Sequence, residues 1–342
     1  MFIKHSLSKD TIILDALRGC AALLVLLSHA DAYYLIRYDP LLPYKGHLGE
    51  IGVYVFFILS GFLIWTSAER VLPKDGGLTT YLVHRAARIM PLYYVSLAFA
   101  VVAFPALSSF ATDITPYTVA RHIVFSQSLD PSVSRAINPI LWTLTHEAVF
   151  YCLVPFLFLG RRFFPAVVGL MLLGTWWGWT HAGMFSPFLR LCFLFAIGMT
   201  LAQYKVAPTR AAALVTVATA ATLGAFGFSH MIVNVAWAVG LFCAASALRD
   251  AASSWPLRGL AFVGVVSYSL YIWHYMLIEI VGPLLLPYRP YDHPVLTGIG
   301  FMALCLGLSW VSYRCIEKPG QAWLREAMTA RRRMTAAPSR AL

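Results

Sequence analysis

Apolar windows long enough to cross a bilayer recur along this chain with few polar stretches between them. That pattern restricts it to structures whose backbone hydrogen bonds are satisfied inside lipid. Ten windows can be read, at about residues 12–35, 48–68, 91–110, 139–160, 164–180, 187–204, 211–228, 231–248, 260–285 and 294–316. Only 12% of the 342 residues are charged, against about 25% in soluble domains. The expected fold is all-α: a polytopic membrane protein of about ten transmembrane helices, with no room for a separate soluble domain. Residues 1–11 read as an N-terminal tail, 12–319 as the membrane domain and 320–342 as a basic C-terminal tail.

The net charge of +11 is a topology signal once its placement is read. The N-terminus, the even-numbered loops and the C-terminal segment hold 19 Lys and Arg residues, whereas the odd-numbered loops and their flanks hold 6. Positive loops stay in the cytoplasm, so both termini are expected there, and no nucleic-acid partner is implied. The positive start and the Ala30-Asp31-Ala32 tripeptide also resemble a signal peptide. An arginine within the apolar run and the polytopic remainder favour a retained first helix. The six cysteines lie in apolar segments without CxxC spacing, and read as small buried hydrophobes.

The first window, LDALRGCAALLVLLSHA (14–30), carries Arg18 and His29. Eleven residues of α-helix bring the two side chains to within about 20° of one another and about 16 Å apart along the axis. Ionisable groups at such depth face a protein interior or a watery cavity and mark functional paths; snorkelling and packing are the plainer alternative. In the second loop, TTYLVHRAARIMPLYY places Arg85 and Arg88 on one face of an expected short helix. Thr79 or Thr80 is its expected N-cap, and Pro91 is expected in the first turn of span three. Paired guanidiniums suit a polyphosphate, although any single RxxR also serves as a positive anchor.

In span four, PILWTLTHEAVFY, Glu147 lies about 12 Å below Pro139, at a depth comparable to that of His29. A histidine or arginine from another helix is its expected partner. Ser60-Gly61 in span two reads as a close-packing pair. His274 and Glu279 interrupt span nine at a spacing that sends each to a different neighbour. YTVARHIVFSQ in the third loop is an expected surface helix, and Trp176, Trp177 and Trp179 an interfacial belt.

Taken together, LDALRG with the histidine of LLSHA, GVYVFFILSGFLIW, HRAARIMPLYY, WTLTHEAVFY, SYSLYIWH and IEKP resemble the integral-membrane acyltransferase 3 family. These motifs follow the family's order from residue 14 to 319. The resemblance implies a bacterial inner-membrane enzyme that O-acylates surface glycans with an acyl group, most often acetyl, from cytoplasmic acyl-CoA. It implies no bound cofactor; the partners are acyl-CoA, a glycan or lipid-linked glycan acceptor, and membrane lipids. It also implies the stand-alone form, without the extracytoplasmic esterase-like domain of some relatives.

By the same resemblance, Arg18 and His29, Arg85 and Arg88, and Glu147 match the family's functional positions, with Asp15, Ser60, Gly61, Trp142 and Tyr151 in support. His146 stands where the usual pattern has a small or apolar residue, which leaves open the histidine that Glu147 pairs with. On this reading neutral His29 is the base, and Glu147 orients it. Arg85 and Arg88 hold the nucleotide phosphates, and Arg18 guides the pantetheine arm or polarises the thioester. The alternatives are a lipid or small-metabolite acceptor on the same fold and, from another class, a secondary transporter. Paired halves with matching broken helices, the mark of many transporters, are not visible in the sequence.

Overall fold

The computed structural model describes residues 8–32, 47–107, 114–285, 287 and 293–336. Regular structure among them is entirely helical: α1 (Lys9–Ala32), α2 (Leu48–Val71), α3 (Gly77–Val102), a single turn α4 (Phe104–Leu107), α5 (Pro116–Ile123), α6 (Trp142–Leu159), α7 (Phe164–Thr180), α8 (Ser186–Leu189), α9 (Cys192–Gln203), α10 (Arg210–Ala225), α11 (His230–Ala247), α12 (Trp255–Val265), α13 (Ser267–Leu285), α14 (Pro294–Ser312) and α15 (Lys318–Ala336). Eight helical stretches are long and apolar enough to cross a membrane. The α12–α13 pair adds a ninth, bent by 69°, and the shorter apolar α10 lies in the remaining expected window. These stretches overlap the ten apolar windows, although α3 begins at Gly77, well before the third window, so the chain is a multi-pass membrane protein.

Helix α2 is the hub. Of its apolar window 61% is buried, against 17% for Arg161–Thr180, and it packs against α1, α9, α11 and α6. Two crossings need glycine. A Cβ on Gly61 would lie 2.3 Å from the Phe195 carbonyl oxygen, and one on Gly198 would lie 2.0 Å from that of Ile58. The α2 and α9 backbones therefore touch reciprocally, which is the close-packing role expected of Gly61. Gly19 against Leu260 and Gly264 against Asp15 do the same for α1 and α12.

Three local expectations are corrected. Arg85 and Arg88 do not sit on a separate surface helix, because α3 runs unbroken from Gly77 through Pro91 to Val102. Its N-cap is Gly76 in the left-handed region (φ 62°), while Thr80 donates back to the Gly76 carbonyl. After the last span a π-helical turn at Tyr313–Glu317 leads into α15, which packs along α3 with Gly320 against Pro91. Of the six cysteines, Cys152 and Cys315 are exposed. Among the local readings that hold, α5 forms with Thr115 as its N-cap, and the three tryptophans are about half exposed.

The glycine contacts generate a paired test. Gly198→Ala must push α9 off α2 and is expected to cost about 1–3 kcal/mol. Gly169→Ala in α7, with nothing within 4 Å of its would-be Cβ, should leave stability unchanged or raise it by up to about 1 kcal/mol. Thermal unfolding of both variants in detergent reads the contrast.

Candidate active site

The central feature is a cavity of about 310 Å³ between α1, α2, α3, α6 and α13, which Arg325 of α15 also lines. Five guanidiniums face it, from Arg18, Arg70, Arg85, Arg88 and Arg325, together with His84 and the Glu147 carboxylate. Ser60, Ser67, Tyr151, Tyr268 and Tyr271 add hydroxyl-bearing side chains, and Val53, Phe56, Phe57 and Leu63 line its apolar part. The continuity of α3 makes this possible. Arg85 and Arg88 are three residues apart on a rigid rod, and both turn inward.

Each inward arginine is held differently. Arg18 donates to Asp15 Oδ1 at 2.9 Å, one turn earlier on α1. Arg88 reaches Glu317 Oε1 at 3.5 Å. Glu317 is 1% exposed and also accepts from Ser269 Oγ at 2.8 Å and Gln321 Nε2 at 3.1 Å. The π-helical turn ends at Glu317, and such an insertion rotates the following face of a helix. Here it delivers a carboxylate to the bundle interior. Arg85 donates to Ser67 Oγ at 3.3 Å and lies over the rings of Tyr81 and Tyr151, at 5.8 and 5.6 Å. Among the described residues no carboxylate lies within ion-pair distance of it.

Glu147 accepts from Tyr151 Oη and from Ser60 Oγ, the latter at 3.4 Å, and lies within electrostatic reach of Arg18 and Arg88. It does not contact His29. The His29 imidazole instead meets His274, Nδ1 to Nε2, at 3.0 Å. The Phe56 and Tyr271 rings pack edge-on, 6.2 Å apart. Both line the cavity, and Tyr271 also touches His274, with ring centroids 5.7 Å apart. A comparable depth along two helices says nothing about azimuth. Helix α6 turns the carboxylate toward the arginines.

His146 is no partner of Glu147 either. It is buried, with Nδ1 2.9 Å from the Trp142 carbonyl and Nε2 3.0 Å from that of Pro187. Trp142 packs edge-on to it, and both rings lie against Phe57, so the pair forms a wall behind the cavity. Sequence reasoning missed Tyr268, Tyr271, Arg70, His84, Arg325 and Glu317. Tyr268, Tyr271 and His274 recur every third residue in SYSLYIWH, a one-face pattern that could have flagged the first two. Nothing local marked Glu317, whose role depends on the π turn.

A profile of the acyltransferase domain family matches residues 12–314, nearly the whole length over which these helices build the cavity. The chain belongs to the acyltransferase 3 family. Among its curated relatives, the exopolysaccharide production protein ExoZ of Rhizobium meliloti is 29% identical over 259 residues, covering 69% of this chain and 78% of that protein. Nodulation protein 10 of Rhizobium leguminosarum bv. viciae is 29% identical over 230 residues, 56% of this chain and 59% of that one. The O-acetyltransferase OatA of Staphylococcus aureus is 27% identical over 359 aligned positions, covering 90% of this chain and 56% of its own length. No solved structure matches the chain. Family membership makes acyl transfer, and not secondary transport, the activity that the cavity has to explain.

The two cavity arginines should separate in stability. Arg88→Ala leaves Glu317 buried without its cation and is expected to cost about 2–3 kcal/mol, allowing for the partial exposure of Arg88. Adding Glu317→Gln should restore most of that loss. Arg85→Ala removes no ion pair and should unfold within a few degrees of wild type. Thermal unfolding of the four proteins side by side checks all three expectations.

Proposed function

We propose that this protein is an inner-membrane O-acyltransferase, transferring an acetyl or related acyl group from cytoplasmic acyl-CoA to a hydroxyl of an outward-facing glycan. The observation that carries this reading is the arginine-lined cavity. Among the described residues five cations converge on a space with one lining carboxylate, and none places a carboxylate within ion-pair distance of Arg85, so the site is built for a polyanion. The loop-charge asymmetry orients the Arg85–Arg88 end toward the cytoplasm, where the nucleotide half of acyl-CoA is available. An acidic glycan is a poor fit for a cavity on that side, which leaves the acceptor to approach from the His29 end.

In the transfer step, His29 takes the proton of the acceptor hydroxyl while that oxygen attacks the thioester carbonyl carbon. The C–O bond forms, the C–S bond breaks, and the proton passes to the leaving thiolate, giving free CoA and the acyl ester. Arg18, about 16 Å from His29 along α1, lines the cavity and guides the pantetheine arm of the donor. Glu147, held by Tyr151 and Ser60, fixes the arginine constellation and does not orient His29 directly. The acyl group reaches His29 past Tyr271, which lines the cavity and packs against His274. The relatives' names support a polysaccharide acceptor, and the acetyl group is carried in the name of the staphylococcal relative.

Purified protein in liposomes, supplied with acetyl-CoA and an exopolysaccharide acceptor, tests this by thiol release. Wild-type protein should release CoA in an acceptor-dependent manner. His29→Ala should lower the rate on the order of 10²-fold or more while remaining folded. Arg85→Ala should raise the acetyl-CoA concentration needed for half-maximal rate about tenfold, with a smaller effect on the maximal rate. Unchanged release from His29→Ala would overturn the base assignment. Failure of wild-type protein with acetyl-, succinyl- and longer acyl-CoA donors would overturn the donor class.

A further inference from the structure

The hydrogen bonds around His274 determine which nitrogen of His29 is basic. His274 is 1% exposed, on α13. Its Nδ1 faces the carbonyl oxygens of Leu270 and Tyr271, at 3.1 and 2.8 Å. A carbonyl only accepts, so the ring hydrogen of His274 is on Nδ1 and its Nε2 carries a lone pair. That Nε2 lies 3.0 Å from His29 Nδ1, and two nitrogens at this distance need one hydrogen between them. It must come from His29. The Val25 carbonyl, one turn earlier on α1, is a further backbone acceptor for the same ring.

Neutral His29 is thereby held as the Nδ1–H tautomer, with its lone pair on Nε2, where the described residues place no hydrogen-bond partner. Tyr275 packs edge-on to the His29 ring at 5.8 Å and 90°, which limits rotation about the bond that would exchange the two nitrogens. We propose that His274 is the positioning residue of this enzyme: it presents the Nε2 lone pair of His29 to the acceptor hydroxyl by accepting at Nδ1. The inference rests on His29 being the base of the proposed transfer. His274 fills the place that a carboxylate takes in hydrolytic triads, as a neutral acceptor anchored by two backbone carbonyls.

Two variants separate positioning from packing. His274→Phe keeps the ring volume and removes the acceptor. His274→Gln places an amide oxygen near the former Nε2 and restores it. The expected maximal rate falls on the order of 10²-fold in His274→Phe, with the acetyl-CoA KM within about twofold of wild type, and recovers by at least about tenfold in His274→Gln. The second readout needs no activity. In protein labelled with 15N-histidine, the His29 signals are identified by their loss in His29→Ala. Neutral His29 should be the Nδ1–H form in wild type and His274→Gln, and shift toward the Nε2–H form in His274→Phe.

Equal losses in both variants, or one unchanged His29 tautomer in all three proteins, would overturn the proposal. A wild-type protein that shows the Nδ1–H tautomer but transfers no acyl group from any donor would keep the geometry and sink the functional reading instead, so the two failures are distinguishable.

Discussion

A guanidinium cannot be left in hydrocarbon without partners, and most of the distinctive architecture of this protein follows from having several of them inside one bundle. Arg18 is met by Asp15 from its own helix, which costs no additional element. Arg88 is met by Glu317, and that contact requires the chain to pass the last span, insert a π-helical turn and return as α15 against α3. Arg85 is left to Ser67 and two tyrosine rings. This unequal treatment matters. Two cations are neutralised to hold the wall together, and the third keeps its charge for whatever enters.

The same walls divide the bundle along its axis. His29 and His274 do not line the cavity, and Tyr271 links the two regions, lining the cavity and packing against His274. Tyr271 is fixed on its far side by donating to the Ile140 carbonyl at 2.9 Å and bonding the Thr143 hydroxyl at 2.8 Å. It is therefore a braced partition and not a loose side chain. A polyanion and a neutral sugar need opposite surroundings. In the proposed transfer, Tyr271 separates the arginine cluster from the basic nitrogen of His29, so that both occupy one bundle.

Much of this was legible in the sequence, for identifiable reasons. The spans were readable because hydropathy over some twenty residues is a property of the window and does not depend on its neighbours. Arg18 and Glu147 stood out because an ionisable residue in such a window is expensive, Arg85 and Arg88 because guanidiniums three residues apart share a helix face, and the structure gathers all four around one cavity. What failed was whatever depends on rotation about a helix axis or on continuity through a breaker. Pro91 reads as a helix start, yet α3 continues through it. Glu147 and His29 are expected at comparable depth yet face different groups. Glu317 lies in a plain IEKP stretch, and only a five-residue π turn aims it inward.

The choice of histidine to face His29 follows from the solvent. A carboxylate at that position would hold the same tautomer and stabilise the imidazolium more strongly, but it would be a buried charge throughout the resting state, unbalanced until the proton arrives. Imidazole supplies the acceptor without the charge. The cost is a partner that can itself turn over, and the backbone removes that freedom: the Leu270 and Tyr271 carbonyls accept only from an Nδ1–H, so α13 fixes the tautomer of His274, which in turn fixes that of His29. Orientation is thus inherited from helix geometry, the most rigid element a bilayer permits, and in the proposed transfer it presents the reacting nitrogen with no buried charge beside it.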